Sequence, residues 1–424
     1  MLFLIGLTSV IYVLLSGREQ VSREVGTVIF LVFAYLSYSF IWSGISVLYV
    51  RANLNGGYSN FSYSMESVVE AYAITLSGLS IAVAVYTFLA GRIWLQRFYR
   101  RKRTSKLDAA TPFVCAMLIT AYGGFSLMQA LLASGFSAVD ARHAEVDHIG
   151  YSCQHIFGLP LALAMLSGDK VHLRFAQVAV GMMVLLGVFS GRTTFVAVGL
   201  APVLVVYLLK FPLTWRGIGR AFGAIVLALM VLQLYRTMRT LGASSAQSSA
   251  LQIQNSFTEI LVLSRVADKV SLRESYTGTD SLLAAFFPIV PGAVAGAEKA
   301  YYAPFKTDLY VSERFFDSDA RTPITIYGDG FLMAGQWGVI GSGILVGVVL
   351  CFAHFSFLTR SAGGASGLVI ISAIVYSTRM GLSELTVTLV CGLGALWVAG
   401  MLRGILWPSK SLPQGVGARS VVER

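Results

Sequence analysis

The chain has 424 residues, of which 56% are apolar and 12% are charged, with a formal net charge of +11 at neutral pH. Soluble domains carry about 25% charged residues, so this composition excludes an ordinary soluble enzyme and favours a polytopic membrane protein. The basic residues form no patch apart from the ends of apolar segments, so we expect no nucleic-acid partner. Four isolated cysteines lack the spacing of a disulfide framework or a metal knuckle: Cys115, Cys153, Cys351 and Cys391.

Long runs without Asp, Glu, Lys or Arg predict eleven membrane-spanning helices. A bilayer core about 30 Å thick takes ~20 helical residues, and within lipid only a helix satisfies the backbone polar groups of such a run. The predicted fold class is therefore an all-α polytopic membrane protein in contact with the lipid bilayer. The predicted spans are 1–17, 26–50, 71–91, 109–134, 149–168, 175–191, 193–209, 221–235, 330–356, 361–378 and 385–402.

The distribution of Lys and Arg between the spans predicts their orientation. The connection 92–106 carries seven cations and is predicted to be cytoplasmic, which places the N-terminus outside and the C-terminus inside. With this orientation the cytoplasmic connections and tail hold 19 Lys and Arg residues, and the short external connections hold 4. We interpret the cluster at 92–106 as a topology anchor rather than as a binding site for one particular lipid.

The connection between the eighth and ninth spans, residues 236–327, is predicted to be a large external loop. Its nine basic residues are matched by nine acidic ones. A capping box at Ser256 and Glu259 precedes an amphipathic pattern, which predicts a helix lying on the membrane or on the bundle. The apolar stretch 282–290 is too short to span and suits an interfacial or re-entrant segment. The predicted organisation is helices 1–8 in residues 1–235, the loop at 236–327, helices 9–11 in 328–402 and a basic cytoplasmic tail at 403–424.

Two arginines at predicted external span ends are candidate binding residues. Arg192 is the only charge between the sixth and seventh spans, and Arg379 lies at the outer end of the tenth. Guanidinium groups offer paired donors that match phosphate oxygens, so the two arginines are candidates to grip the phosphates of a lipid-linked substrate. The alternative is that each side chain extends to the lipid headgroups.

Two further stretches contain candidate polar groups. The connection 140–148 includes His143, Asp147 and His148, but it has none of the spacings typical of a metal site, so we expect no metal and take a solvated connector as the simpler interpretation. The stretch Tyr327-Gly328-Asp329-Gly330 precedes the ninth span. Asp329 is predicted to be either a general base or a helix N-cap.

The arrangement resembles the O-antigen polymerase type (Wzy-like) family of oligosaccharide repeat-unit polymerases. The turn Ser190-Gly191-Arg192-Thr193 is similar to an arginine-bearing turn of that family. The segment 287–291, with Lys299 after it, resembles the family's proline-containing loop segment. The stretch 323–329, followed by Gly335, Gln336-Trp337-Gly338 and Gly347, resembles its entry into a glycine-rich span. The resemblance covers the general architecture and about a quarter of the chain, and it implies a GT-C-like polymerase/ligase fold.

The resemblance implies a reaction at the periplasmic face of the bacterial inner (cytoplasmic) membrane. A growing glycan would pass from undecaprenyl pyrophosphate to a hydroxyl of a lipid-linked repeat unit, and no cofactor would be needed because the donor is already activated. Cationic donors would stabilise the departing pyrophosphate. Arg192 and Arg379 suit that role, with Arg321 or Arg314 as a third contact.

The same resemblance implies further roles and partners. The general base would be one of His143, Asp147, His148 and Asp329. Tyr327 and Trp337 are candidate substrate contacts, although aromatic residues at a membrane interface more commonly belong to the interfacial belt. The substrate partner would be an undecaprenyl pyrophosphate-linked oligosaccharide, and a chain-length regulator and a flippase would act in the same pathway.

The sequence leaves two alternatives to the polymerase open. A surface-polysaccharide ligase would use the same donor with a different acceptor, although ligases favour a histidine in the large loop and residues 236–327 contain none. A lipid-linked oligosaccharide flippase or other transporter would not be an enzyme. Transporters often contain two related halves, and the two halves of this chain show no evident repeat.

Overall fold

The protein is described from a computed structural model that covers residues 65–91, 110–134, 150, 153–190, 196, 199–210, 262–267, 277–286, 310–311, 324–358 and 362–406. All regular secondary structure in these residues is helical. The helices of eight or more residues are α1 (Met65–Gly91), α2 (Ala110–Ala133), α3 (Leu159–Ser167), α4 (Lys170–Phe189), α5 (Ala201–Lys210), α6 (Thr279–Phe286), α7 (Ile326–Leu358) and α8 (Ala362–Leu406).

Four of the described helices are long and apolar enough to cross a membrane: Glu66–Ala90, Thr111–Ala133, Lys170–Phe189 and Ile326–Phe357. They coincide with the third, fourth, sixth and ninth predicted spans. Two shorter apolar helices, Ala365–Ser377 and Leu385–Val398, lie within the tenth and eleventh. The chain is therefore a helical membrane protein, while the total of eleven spans stays a prediction. The predicted spans 1–17, 26–50 and 221–235 lie outside the described residues.

One helix start differs from the predicted spans, and one helix break agrees with them. Residues 155–158 form a turn inside the predicted span 149–168, and α3 begins only at Leu159, with Pro160 in its first turn. Proline lacks a backbone N–H and suits the first turn of a helix, where that group has no intrahelical partner. The tenth and eleventh predicted spans are two parts of α8, which is broken at Gly381. The break at Gly381 falls in the predicted connection 379–384, where Arg379 and Glu384 interrupt the apolar run. Hydropathy does not detect the turn 155–158, because no charged residue lies next to it.

The packing of α1 against α7 forms the centre of the main hydrophobic core. Gly343 and Gly347 lie one helical turn apart on α7, and each brings its backbone against α1. A Cβ atom at Gly343 would lie 2.7 Å from the carbonyl oxygen of Gly78, and one at Gly347 would lie 2.7 Å from that of Ala82. Small residues four apart allow two helix backbones to approach closely in a membrane.

We expect Gly343→Ala and Gly347→Ala each to lower the free energy of unfolding by about 1–3 kcal/mol, because the added methyl groups overpack a close helix contact. Gly341→Ala is the matched control, since a Cβ atom at Gly341 would meet nothing within 4 Å. Unfolding of the purified protein in detergent measures the difference. Equal stability of the three variants would contradict the close packing of α1 on α7.

The connection between α3 and α4 is a tight turn stabilised by an N-cap. Gly168 ends α3 with a left-handed backbone (φ 74°), and the Asp169 carboxylate accepts hydrogen bonds from the backbone N–H groups of Val171 (2.8 Å) and His172 (3.2 Å). These two bonds lower the pKa of the Asp169 carboxyl group below its ordinary value. The turn thereby reverses the chain within the connection that the charge asymmetry predicts to be cytoplasmic.

Candidate functional site

The helix α7 is broken near its start. Residues 326–333 form a short half-helix, and the helix resumes after Ala334 (φ −150°) and Gly335 (φ 59°, ψ −139°). A positive φ of this kind favours glycine, because a side chain would clash with the backbone. The short half folds back so that the backbones of Gly330 and Gly338 are in contact.

The carbonyl groups at the end of this half-helix bind to residues of the predicted external loop. The backbone N–H of Thr277 donates to the Leu332 carbonyl oxygen (3.1 Å), and that of Gly278 donates to the Met333 carbonyl oxygen (3.0 Å). The Thr277 hydroxyl also donates to Leu332 (3.3 Å). The helix α6 starts directly after this pair and is too short to span a bilayer. The loop therefore completes the hydrogen bonding of the broken helix.

A second break lies in α8 at Gly381, which has φ 78° and ψ −168°. Leu382 lies at the start of the half-helix that follows, where backbone N–H groups have no intrahelical partner. Its N–H donates to Oδ2 of Asp329 at 2.7 Å. Asp329 is fully buried. A Cβ atom at Gly381 would lie 2.7 Å from the same oxygen, so only glycine leaves room for the carboxylate. Asp329, which lies in the first turn of α7, thus caps a helix 53 residues away in sequence.

A third interruption is the turn 155–158 that precedes α3. The imidazole of His155 stacks on the ring of Tyr376 in α8, with ring centroids 3.6 Å apart and an interplanar angle of 23°. Both residues are only 2% exposed. The turn is held by neighbouring segments, because Gly158 N–H donates to the carbonyl oxygen of Gly199 (2.9 Å). We call the three interruptions, at 155–158, 334–335 and 381, the interrupted-helix junction.

The junction is a candidate functional site on two physical grounds. Irregular backbone at membrane depth is tolerated only where it is buried in protein or lines a cavity, and interrupted helices commonly mark binding sites. Ionisable side chains inside membrane helices are costly and are functional candidates by default. Asp329 and His155 are both buried at the junction. Arg379 lies in α8, two residues before the break at Gly381. Asp329 binds the second half of α8 through Leu382, and His155 contacts the first half through Tyr376.

The predicted site residues fall into three groups. Asp329 and the backbone of Arg379 lie at the junction. Tyr327 is 1% exposed and packs its ring against Gly78 of α1, whereas Trp337, just after the break in α7, is 80% exposed. The other predicted residues lie outside the described part of the chain: Arg192, Arg314, Arg321, His143, Asp147 and His148.

His155 lies one heptad after His148 in the sequence, but no role was predicted for it, and Tyr376 was not singled out. Both residues occur inside apolar runs, where a lone histidine and a lone tyrosine are compatible with ordinary packing. The signal available in the sequence was the adjacent polar pair Gln154 and His155 inside a predicted membrane span. The structure shows both side chains buried. Their pairing with α8 depends on tertiary contacts that hydrophobic periodicity does not encode.

Comparison of the chain with protein-family models, with curated proteins and with solved structures gives no significant match.

Proposed function

We propose that this protein is a lipid-linked oligosaccharide glycosyltransferase of the repeat-unit polymerase type, acting at the periplasmic face of the bacterial inner membrane. The observation that supports the proposal best is the hydrogen bond from Leu382 to Asp329. Asp329 belongs to the stretch that resembles the polymerase family, and Arg379 was singled out by its charge at a span end. The contact connects the backbone segments of these two residues at one helix break.

In the proposed reaction a hydroxyl oxygen of the acceptor repeat unit attacks the anomeric carbon of the growing glycan. The bond from that carbon to the pyrophosphate oxygen breaks, undecaprenyl pyrophosphate leaves, and the hydroxyl proton passes to a base. The negative charge that develops on the leaving group needs cationic donors held in place beforehand. Arg379, together with Arg192 and one of Arg314 and Arg321, is proposed to supply them.

The environment of Asp329 favours a positioning role over proton transfer. Its carboxylate is fully buried, and Oδ2 accepts a hydrogen bond from the backbone N–H of Leu382 at 2.7 Å, so this oxygen is occupied by a structural contact. The Asp329 carboxylate thereby holds the start of the second half of α8, three residues after Arg379. We therefore assign the proposed general base to the group His143, Asp147 and His148.

One observation favours the transporter alternative as the second candidate. Helices α7 and α8 are both broken, and discontinuous helices form the substrate sites of many secondary transporters. The breaks occur in consecutive helices and are joined by Asp329, so a substrate that binds here would contact both. The ligase alternative predicts the same site with a different acceptor.

A strain lacking this gene distinguishes the three candidates through its lipid-linked and surface polysaccharide. The polymerase proposal predicts single repeat units on the external leaflet, with long chains restored by the wild-type gene. A flippase would leave single units on the cytoplasmic leaflet, and a ligase would leave full-length chains on the carrier lipid. Either of the latter patterns would contradict the proposed function.

A further inference from the structure

The contact between His155 and Tyr376 joins two of the three helix interruptions. The rings stack at a centroid distance of 3.6 Å, and both side chains are almost completely buried. Tyr376 lies in the last turns of the first half of α8. Arg379 follows it by three residues and Gly381 by five. The stack therefore holds the half-helix close to the point where it ends.

The His155 side of the contact is tied to the surrounding bundle. The hydroxyl of Thr120 in α2 donates to the carbonyl oxygen of Phe157 (3.3 Å), and Gly158 N–H donates to Gly199 (2.9 Å). A Cβ atom at Gly123 would lie 3.0 Å from the backbone nitrogen of Gln154, so α2 packs directly on the turn. Because the turn is held by α2 and by Gly199, the His155 ring has a fixed position against α8.

The break at Gly381 is consequently held on both sides. Asp329 holds the half-helix that follows it, through Leu382 (2.7 Å), and His155 holds the half-helix that precedes it, through Tyr376. We infer that His155 is a positioning residue whose stack on Tyr376 fixes the helix segment carrying Arg379 for glycosyl transfer. The inference rests on the proposed function and adds a residue to it that acts through Tyr376 rather than by touching the substrate.

The inference is tested with purified protein in proteoliposomes supplied with a lipid-linked repeat unit. We expect His155→Ala to lower kcat by at least about tenfold, because small displacements of a positioned group cost large factors in rate. KM for the lipid-linked unit should change by less than about threefold if substrate binding is spread over many other contacts. His155→Phe keeps an aromatic face for Tyr376 and should retain kcat within about threefold of the wild type.

His172→Ala is the matched control. His172 also stacks on an aromatic ring, that of Phe113, with centroids 4.2 Å apart and an interplanar angle of 22°, but at the other end of α3. It should leave kcat unchanged. If His155→Ala keeps the wild-type kcat, or if folded His155→Phe is as inactive as His155→Ala, the positioning role is overturned. Wild-type protein that extends no chain would instead overturn the proposed function.

A second measurement tests the positioning role without any activity. In a background free of the four native cysteines, Met380→Cys is labelled with a membrane-impermeant maleimide, with and without the changes at His155. His155→Ala should alter the labelling rate by at least about threefold if the helix end is released, since local opening controls such exchange. His155→Phe should not alter it. Equal labelling rates in all three proteins would overturn the inference even if the protein proved not to be a polymerase.

Discussion

Arg379→Ala is expected to reduce chain extension by at least about 100-fold, while protein level and membrane insertion stay at wild-type values. Removal of one preorganised donor to a developing negative charge costs a factor of about 10²–10³ in other enzymes. Arg379 lies two residues before a helix break whose second half is bound by Asp329, so the backbone near this residue is expected to be fixed before the leaving group departs. Chain-length analysis of lipid-linked glycan in a complemented deletion strain measures the loss.

Arg192→Ala is expected to give a loss of similar size, because the two arginines are proposed to contact the same pyrophosphate. Arg379→Lys separates charge from geometry, since lysine keeps the charge but loses the paired donors, and it should restore only part of the activity. Arg51→Ala is the control, because Arg51 lies at a predicted external span end without any motif. Full activity in both Arg192→Ala and Arg379→Ala would refute the pyrophosphate-binding role.

The second large effect is expected at Asp329, where alanine and asparagine should behave differently. Asp329→Ala leaves the buried N–H of Leu382 without its acceptor, which costs about 1–3 kcal/mol and releases the start of the second half of α8. We expect this variant to lose nearly all chain extension. Asp329→Asn keeps a carbonyl oxygen at the same place and should retain activity within about tenfold of the wild type, since a neutral acceptor bonds more weakly.

This pair of variants separates the two predicted roles of Asp329. A general base cannot be replaced by an amide, so equal inactivity of the two folded variants would show proton transfer instead of positioning. Asp169→Asn is the matched control, because Asp169 also accepts backbone hydrogen bonds at a helix start but lies at the turn between α3 and α4. Its replacement should leave chain extension unchanged.

The sequence predicted the membrane class and the positions of the long helices because both follow from local composition. Each of the four described candidate spans overlaps a predicted run. The short helix 262–267 falls within the amphipathic pattern predicted after Ser256, and its buried Leu263 and Ala267 belong to the main core. These features depend on residues close together in the chain, which periodicity and charge counting can detect.

The candidate site was only partly predictable, because its contacts join residues far apart in sequence. The stretch around Asp329 suggested an N-cap, but the helix that Asp329 caps starts at Leu382 and could not be identified from local spacing. The break at Gly381 falls in the predicted connection 379–384, whereas the break at Gly335 falls inside the predicted ninth span, at one glycine among 42 in the chain. Their positive φ values arise from tertiary packing, as does the stack of His155 on Tyr376.

We propose that this protein extends a lipid-linked glycan and that the interrupted-helix junction takes part in the transfer. The most direct measurement is the length distribution of products formed by purified wild-type protein and by Arg379→Ala in proteoliposomes containing an undecaprenyl pyrophosphate-linked repeat unit. We expect a ladder of products that differ by one repeat unit with the wild type, and unreacted single units with Arg379→Ala. Single units left unreacted by folded wild-type protein, or an identical ladder from both proteins, would contradict the claim.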